Sequence, residues 1–327
     1  MGAFMPSAEH EQIQDMMRNL MGQGMASASS PADGPNPDGQ IMIRNMFEST
    51  AQPVSAFPNV TITEVDADGV SAEWVVPKSG NADTGRRLLY IHGGAFFMGS
   101  PRTHRPITTH LAEGMNAAVL AIDYRMIPDN VRQDGIDDCE TAWRWMAENG
   151  PEGPSTARRM MVAGDSAGGN LTLSLLLALK QDGERQADAA TAIAPLTDAT
   201  MQSESLIANA PTDALLGQMI GTLEAIPVEE RGAVQAETWG IPADHPSVSP
   251  IHGDLDNLPP ILVHASTTEC LFDDARRFTE KAQAAGTDVT LQTRDGLMHV
   301  WHNFAPNVPE SVDALAEISA FFNDKAG

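Results

Sequence analysis

Met160-Met161-Val162-Ala163-Gly164-Asp165-Ser166-Ala167-Gly168-Gly169 is the stretch on which the reading of the whole chain turns. Four apolar residues lead into Gly-x-Ser-x-Gly, and Leu171 to Lys180 follows, rich in leucine and free of glycine and proline. The first part reads as a short buried strand and the last as a buried helix. Between them, a serine flanked by small residues suits the sharp strand-to-helix turn of a nucleophile elbow, whose backbone leaves little room for bulk. Five letters recur by chance, so Ser166 becomes a nucleophile only if the rest of the chain supplies its partners.

Working outward, Val60 to Val65 and Val70 to Val76 alternate around Asp66-Ala67-Asp68-Gly69, a β-hairpin signal. Leu88 to Ile91 and Ala118 to Ile122 are continuous apolar runs, which predicts parallel strands covered on both faces. Further strands are expected at Ala189 to Ala194, Ile261 to Ala265 and Val289 to Thr293. Helices are expected at Asp134 to Asn149, with Cys139, Trp143 and Met146 on one face, at Asp273 to Ala285, and over the last fifteen or so residues. An antiparallel start followed by alternating β and α implies one α/β doubly wound sheet, mostly parallel and eight-stranded.

Two pieces carry no strand signal. Residues 1–52 hold an amphipathic stripe, Ile13, Met16, Met17, Leu20 and Met21, before a Ser/Ala/Pro/Gly stretch from Met25 to Gly39. Residues 200–245 are helical in character and interrupted by Pro211 and Pro227. The chain therefore divides into a first cap piece (1–52), core (53–199), a cap insertion (200–245) and core again (246–327). The methionine stripe suits either a lid over a pocket or plain packing onto the core.

The formal net charge is −24, with 44 acidic against 20 basic residues, which argues against nucleic acid or an anionic membrane as partner. No apolar run approaches the roughly 18 residues of a membrane span, and the start of the chain lacks a basic segment leading into an apolar one. A cytoplasmic protein is expected. Only Cys139 and Cys270 are present, too few for a disulfide framework or a cysteine zinc site.

A serine hydroxyl needs a base, an acid to orient that base, and donors for the oxyanion. His92-Gly93-Gly94-Ala95-Phe96 follows the strand ending at Ile91, where an oxyanion loop belongs in an α/β-hydrolase. The N–H groups of Gly93, Gly94 and Ala167 are the expected donors. Of nine histidines, only His299 and His302 follow the last strand, as the order Ser, Asp/Glu, His requires. His299 comes first, in the loop, and is assigned as the base. Glu269 is the loop acid after Ile261 to Ala265, whereas Asp273 and Asp274 suit the start of the next helix. No recognised metal-ligand spacing is completed by His299 and His302.

The His-Gly-Gly-Ala-Phe run, Asp123-Tyr124-Arg125, Gly-Asp-Ser-Ala-Gly-Gly and the Glu269 and His299 segments resemble the bacterial hormone-sensitive-lipase-like esterases from about Val60 onward. The resemblance implies an α/β-hydrolase fold with a helical cap, no cofactor and no metal, and hydrolysis of short- to medium-chain acyl esters through an acyl-enzyme. Two positions depart from the family pattern: Ala95 stands for the third glycine of the oxyanion motif and Glu269 for the usual aspartate. Neither should abolish activity, because backbone groups serve as donors and glutamate is the acid in some relatives. An amidase or formamidase with the same triad and a non-catalytic ligand receptor remain the alternatives. The expected partner is a small-molecule ester, with room for a homodimer.

Overall fold

The computed structural model describes residues 5–28 and 37–327, so most of the Ser/Ala/Pro/Gly stretch lies outside the described residues. Eight strands form one sheet: β1 (Val60–Asp66), β2 (Ser71–Pro77), β3 (Asp83–Ile91), β4 (Ala117–Ile122), β5 (Arg159–Asp165), β6 (Ala189–Ile193), β7 (Ile261–Ser266) and β8 (Val289–Arg294). Their spatial order is β1-β2-β4-β3-β5-β6-β7-β8. The hairpin pairs antiparallel and β2 joins β4 antiparallel; every later pairing is parallel. The expected mostly parallel sheet is the one observed.

Helices cover both faces, which is why the central strands read as unbroken apolar runs. Leu89, Ile91, Leu120 and Val162 face one core with Trp143, Leu176 and Phe278. Leu88, Tyr90, Val119 and Met161 face the other with Ile107, Leu111 and Phe322. The first layer belongs to α4 (Arg132–Glu148), α5 (Ala167–Gln181) and α9 (Phe272–Ala284), the second to α3 (Arg105–Met115) and α10 (Pro309–Lys325). Cys139 and Cys270 are buried and free.

Helix α3 escaped the sequence reading. Thr108 and Thr109 are buried beside Ile107, Leu111, Ala112 and Met115, so part of its buried face is polar, and Pro106 occupies its first turn, where the missing N–H costs nothing.

Two helices precede the sheet, α1 (Ala8–Ala28) and α2 (Pro37–Glu48). The second was hidden by Pro37 at its start and the glycine- and proline-rich run before it. Between β6 and β7 the chain forms two single-turn helices, α6 (Ser205–Ala208) and α7 (Gly217–Ile220), and then α8 (Val228–Trp239). Among the described residues no helix is long and apolar enough to cross a membrane.

Candidate active site

Ser166 sits between β5 and α5 with φ 55° and ψ −115°, a conformation that a residue with a Cβ adopts only under tertiary constraint. Its N–H donates to the Ile193 carbonyl at 2.7 Å, and its carbonyl accepts from Asn170 at 3.0 Å. The flanking glycines are steric necessities: a Cβ on Gly168 would lie 1.9 Å from the Ile91 carbonyl oxygen, and one on Gly164 would lie 2.4 Å from that of Gly168. The elbow therefore exists because β3, β5 and α5 meet more closely than any side chain permits.

His299 and Glu269 are brought together from the loops after β8 and β7. Nδ1 of His299 lies 2.6 Å from Oε2 of Glu269, both residues being buried. The other carboxylate oxygen, Oε1, accepts the Ser266 N–H at 2.9 Å, fixing the acid's rotamer. Burial alone would push the His299 imidazole down, but the Glu269 bond and charge outweigh it and hold His299 above its ordinary value of 6.5. Nε2 of His299 is buried and has no hydrogen-bond partner among the described residues, leaving it able to accept a proton.

His302, the competing histidine, turns the other way. Its Nε2 lies 3.1 Å from Nδ1 of His264, whose Nε2 lies 2.8 Å from Oε1 of Gln292, and burial pushes His302 well below its ordinary value. Asp273 and Asp274 are likewise employed elsewhere: Asp273 accepts from the Ser205 N–H, and Asp274 from the N–H groups of Thr197 and Asp198.

The oxyanion loop corrects one expectation. The N–H of Gly93 donates to Oδ1 of the buried Asp165 at 3.1 Å and cannot serve a substrate. Glycine is required there for another reason, since a Cβ would lie 2.2 Å from Oδ2 of Asp165. Among the described residues, the N–H groups of Gly94 and Ala95 donate to nothing. Gly94 has φ 119° and no room for a Cβ, which would lie 2.0 Å from the Met98 carbonyl oxygen; Ala95 follows at φ 51°.

Two cavities meet at Ser166. One, of about 210 Å³, is lined by His299, Asn303 and His104 and walled by Ile13, Met16 and Met17 of α1. The other, of about 260 Å³, lies between Phe96, Leu196 and Trp239 and includes Ala167. Ala95 and Leu216 border both. The methionine stripe is thus split: Met17 is buried, Met16 is half exposed at the cavity rim, and Met21 packs away from the site. Among the described residues no three His, Cys, Asp or Glu side chains are grouped to hold a metal ion.

Residues 88–303 match the family model for the α/β-hydrolase fold. An acetyl-hydrolase of Streptomyces hygroscopicus is 35% identical over 294 residues, covering 89% of this chain and 92% of that one. An esterase of Acinetobacter venetianus is 34% identical, covering 81% and 82%. The crystal structure of an esterase from the bacterial hormone-sensitive lipase family superposes with a TM-score of 0.80 at 30% identity, covering 99% of this chain and all of that one. Another, that of EstE5 soaked with p-nitrophenyl butyrate, matches at TM-score 0.80 and 29% identity over 98% of this chain and 99% of that one. The chain belongs to the bacterial hormone-sensitive-lipase-like esterases of the α/β-hydrolase fold.

Several residues around the site of this esterase were not singled out from the sequence. Asp165, inside the elbow motif itself, accepts from the Tyr90 hydroxyl at 2.6 Å as well as from Gly93. His104 places Nε2 3.4 Å from its other oxygen. Burial raises the Asp165 carboxyl, yet His104, Tyr90 and His92 outweigh it and hold Asp165 below its ordinary value. His92 stacks on Tyr124 at 4.4 Å and is driven by burial, and by His104 nearby, down to about 3, so it is neutral. Asp213, in the insertion, accepts the Cys270 N–H at 2.9 Å and thereby pins the loop that carries Glu269. Arg44 of α2 donates to the Phe97 carbonyl at 2.5 Å and the Ile127 carbonyl at 2.7 Å, tying α2 to the oxyanion loop. Asp165, His92 and Tyr124 lie inside motifs visible in the sequence, whereas His104, Asp213 and Arg44 carry no such signal.

Proposed function

We propose that this esterase hydrolyses short- to medium-chain acyl esters with Ser166 as nucleophile, His299 as base and Glu269 as orienting acid. One observation carries the reading: His299, bonded at Nδ1 to Glu269 and free at Nε2, lines the same cavity as Ser166. His299 takes the Ser166 proton as the oxygen attacks the carbonyl carbon, then gives it to the departing alkoxide. Glu269 holds the tautomer and stabilises the imidazolium without itself being protonated. Water enters by the same route, the proton passing to His299 and back to Ser166, and the acid is released.

The tetrahedral oxyanion is held by the N–H groups of Gly94, Ala95 and Ala167, each donor contributing about 2.7–4 kcal/mol to the transition state by analogy with tested cases. Because the leaving oxygen must receive its proton from His299, the cavity that His299 lines takes the alcohol, and the apolar one beside Ala167 and Trp239 takes the acyl chain. Helices α1 and α2 with the segment 200–245 act as the cap that walls these cavities.

The test is turnover of p-nitrophenyl esters of increasing acyl length by the wild-type protein and by Ser166→Ala, with the matched anilides run alongside. Ester turnover that vanishes in Ser166→Ala is expected. Equal activity in both proteins would remove Ser166 from the mechanism, and faster cleavage of the anilides would make the protein an amidase.

A further inference from the structure

Arg132 opens α4 with its guanidinium buried, only 3% exposed. No ion pair reaches it among the described residues. Its Nη2 donates to Oδ1 of Asn170 at 2.8 Å, while Nε is buried and has no partner among the described residues. Burial lowers its pKa to about 10, so it is still a cation. A buried cation without a counter-charge is costly, and an apolar side chain of the same size would remove that cost.

What the guanidinium does touch is informative. Its carbon lies 3.9 Å from the centroid of the Phe96 ring, a cation–π contact, and 5.9 Å from that of Trp239. Phe96 directly follows Ala95, and the two have φ of 66° and 51°, a left-handed pair that needs outside support. On its other side, Asn170 belongs to the first turn of α5. Its N–H bonds the Ser166 carbonyl, and its side-chain amide donates to the carbonyls of Leu196 and Val248. The guanidinium therefore bridges the loop that carries Gly94 and Ala95 to the helix that carries Ala167.

We propose that Arg132 is a positioning residue for the oxyanion hole, holding its two halves in register through Phe96 on one side and Asn170 on the other. The inference rests on Gly94, Ala95 and Ala167 being the oxyanion donors. Misplacing such donors slows the chemical step while leaving ground-state binding nearly unchanged.

The experiment compares kcat, KM and thermal unfolding for wild type, Arg132→Met, Arg132→Lys, Phe96→Leu and the Arg132→Met/Phe96→Leu double variant on a short nitrophenyl ester. Arg132→Met is expected to melt at or above the wild-type temperature, since the buried charge is gone. Its kcat should fall about 10- to 100-fold, with KM within about threefold. Arg132→Lys keeps the charge but not the planar stack and should fall between the two. Phe96→Leu should lose about as much as Arg132→Met, and the double variant no more than the larger single loss.

Wild-type kcat in a folded Arg132→Met, or losses that multiply in the double variant, overturns the proposal. Should Arg132→Met not fold, wild-type kcat in both Arg132→Lys and Phe96→Leu overturns it instead. An inactive wild-type protein would sink the esterase mechanism, a different result from an active wild type with an indifferent Arg132.

Discussion

Two histidine–carboxylate pairs flank the cavity at Ser166, and they resemble each other closely: His299 with Glu269, and His104 with Asp165. All four residues are buried, and in both pairs the carboxylate outweighs burial and raises the imidazole above 6.5. The difference is in the second nitrogen. Nδ1 of His104 is taken by the Ser100 carbonyl at 3.1 Å and the Thr103 hydroxyl at 2.9 Å, whereas Nε2 of His299 has no partner among the described residues. A histidine with both nitrogens engaged braces a loop; one with a nitrogen free can move a proton. Their carboxylates differ in the same sense. Asp165 anchors Gly93 and Tyr90, and so holds the oxyanion loop, while Glu269 serves the imidazole and the turn beside it.

The sharpest break in this comparison is His299→Ala, which should lower kcat on the order of 10⁶-fold if His299 is the base, by analogy with other triads. Activity surviving that change but lost in His104→Ala would exchange the roles of the two pairs. Glu269→Gln should cost about 10⁴-fold in kcat, the loss seen when an orienting carboxylate becomes an amide.

The pH profile separates the pairs further. If His299 is the base it must be neutral to act, so its raised pKa places the acid limb of kcat/KM above pH 6.5 in the wild type. Removing Glu269 removes what raises it, and the limb should move to lower pH in Glu269→Gln. In His104→Leu it should stay where it is, while kcat falls about tenfold as the Gly93 loop loosens. That variant also takes the His104 imidazole away from the buried Asp165 carboxylate, at a cost of about 3–5 kcal/mol in denaturant unfolding. The smallest effect on activity belongs to His302→Leu. Its kcat should stay within about twofold of wild type, with about 1–3 kcal/mol of stability lost because Nδ1 of His264 is left without its partner. A catalytic collapse in His302→Leu would return the choice of base to the other histidine.

Much of this was legible along the chain. Each strand from β1 to β8 announced itself as an alternating or continuous apolar run, because strand burial has a short, local period. Ser166, Glu269 and His299, the proposed triad, stand out along the chain because the motif order of this fold runs Ser, Asp/Glu, His after particular strands. Gly93 was misread as a donor because glycine there looks like a bare amide in an oxyanion loop. Its smallness in fact accommodates Asp165, a contact 72 residues away. Arg132 and His104 carried no signal at all, since a single arginine or histidine reads the same whether it faces water or a neighbouring ring.

By itself, the sequence determined the order of the strands along the chain and the elbow, and it singled out the loops of Glu269 and His299, because those properties rest on local periodicity and on motif order. The tertiary structure alone decided which imidazole nitrogen is free, which amides of the His92 to Phe96 loop are unspent, and where α1 and the 200–245 segment wall the cavities. Those outcomes depend on partners brought together across hundreds of residues, as when His10 of α1 accepts the Met298 N–H at 3.0 Å beside His299. Hydrogen-bond satisfaction and close packing are settled only when the chain has closed on itself.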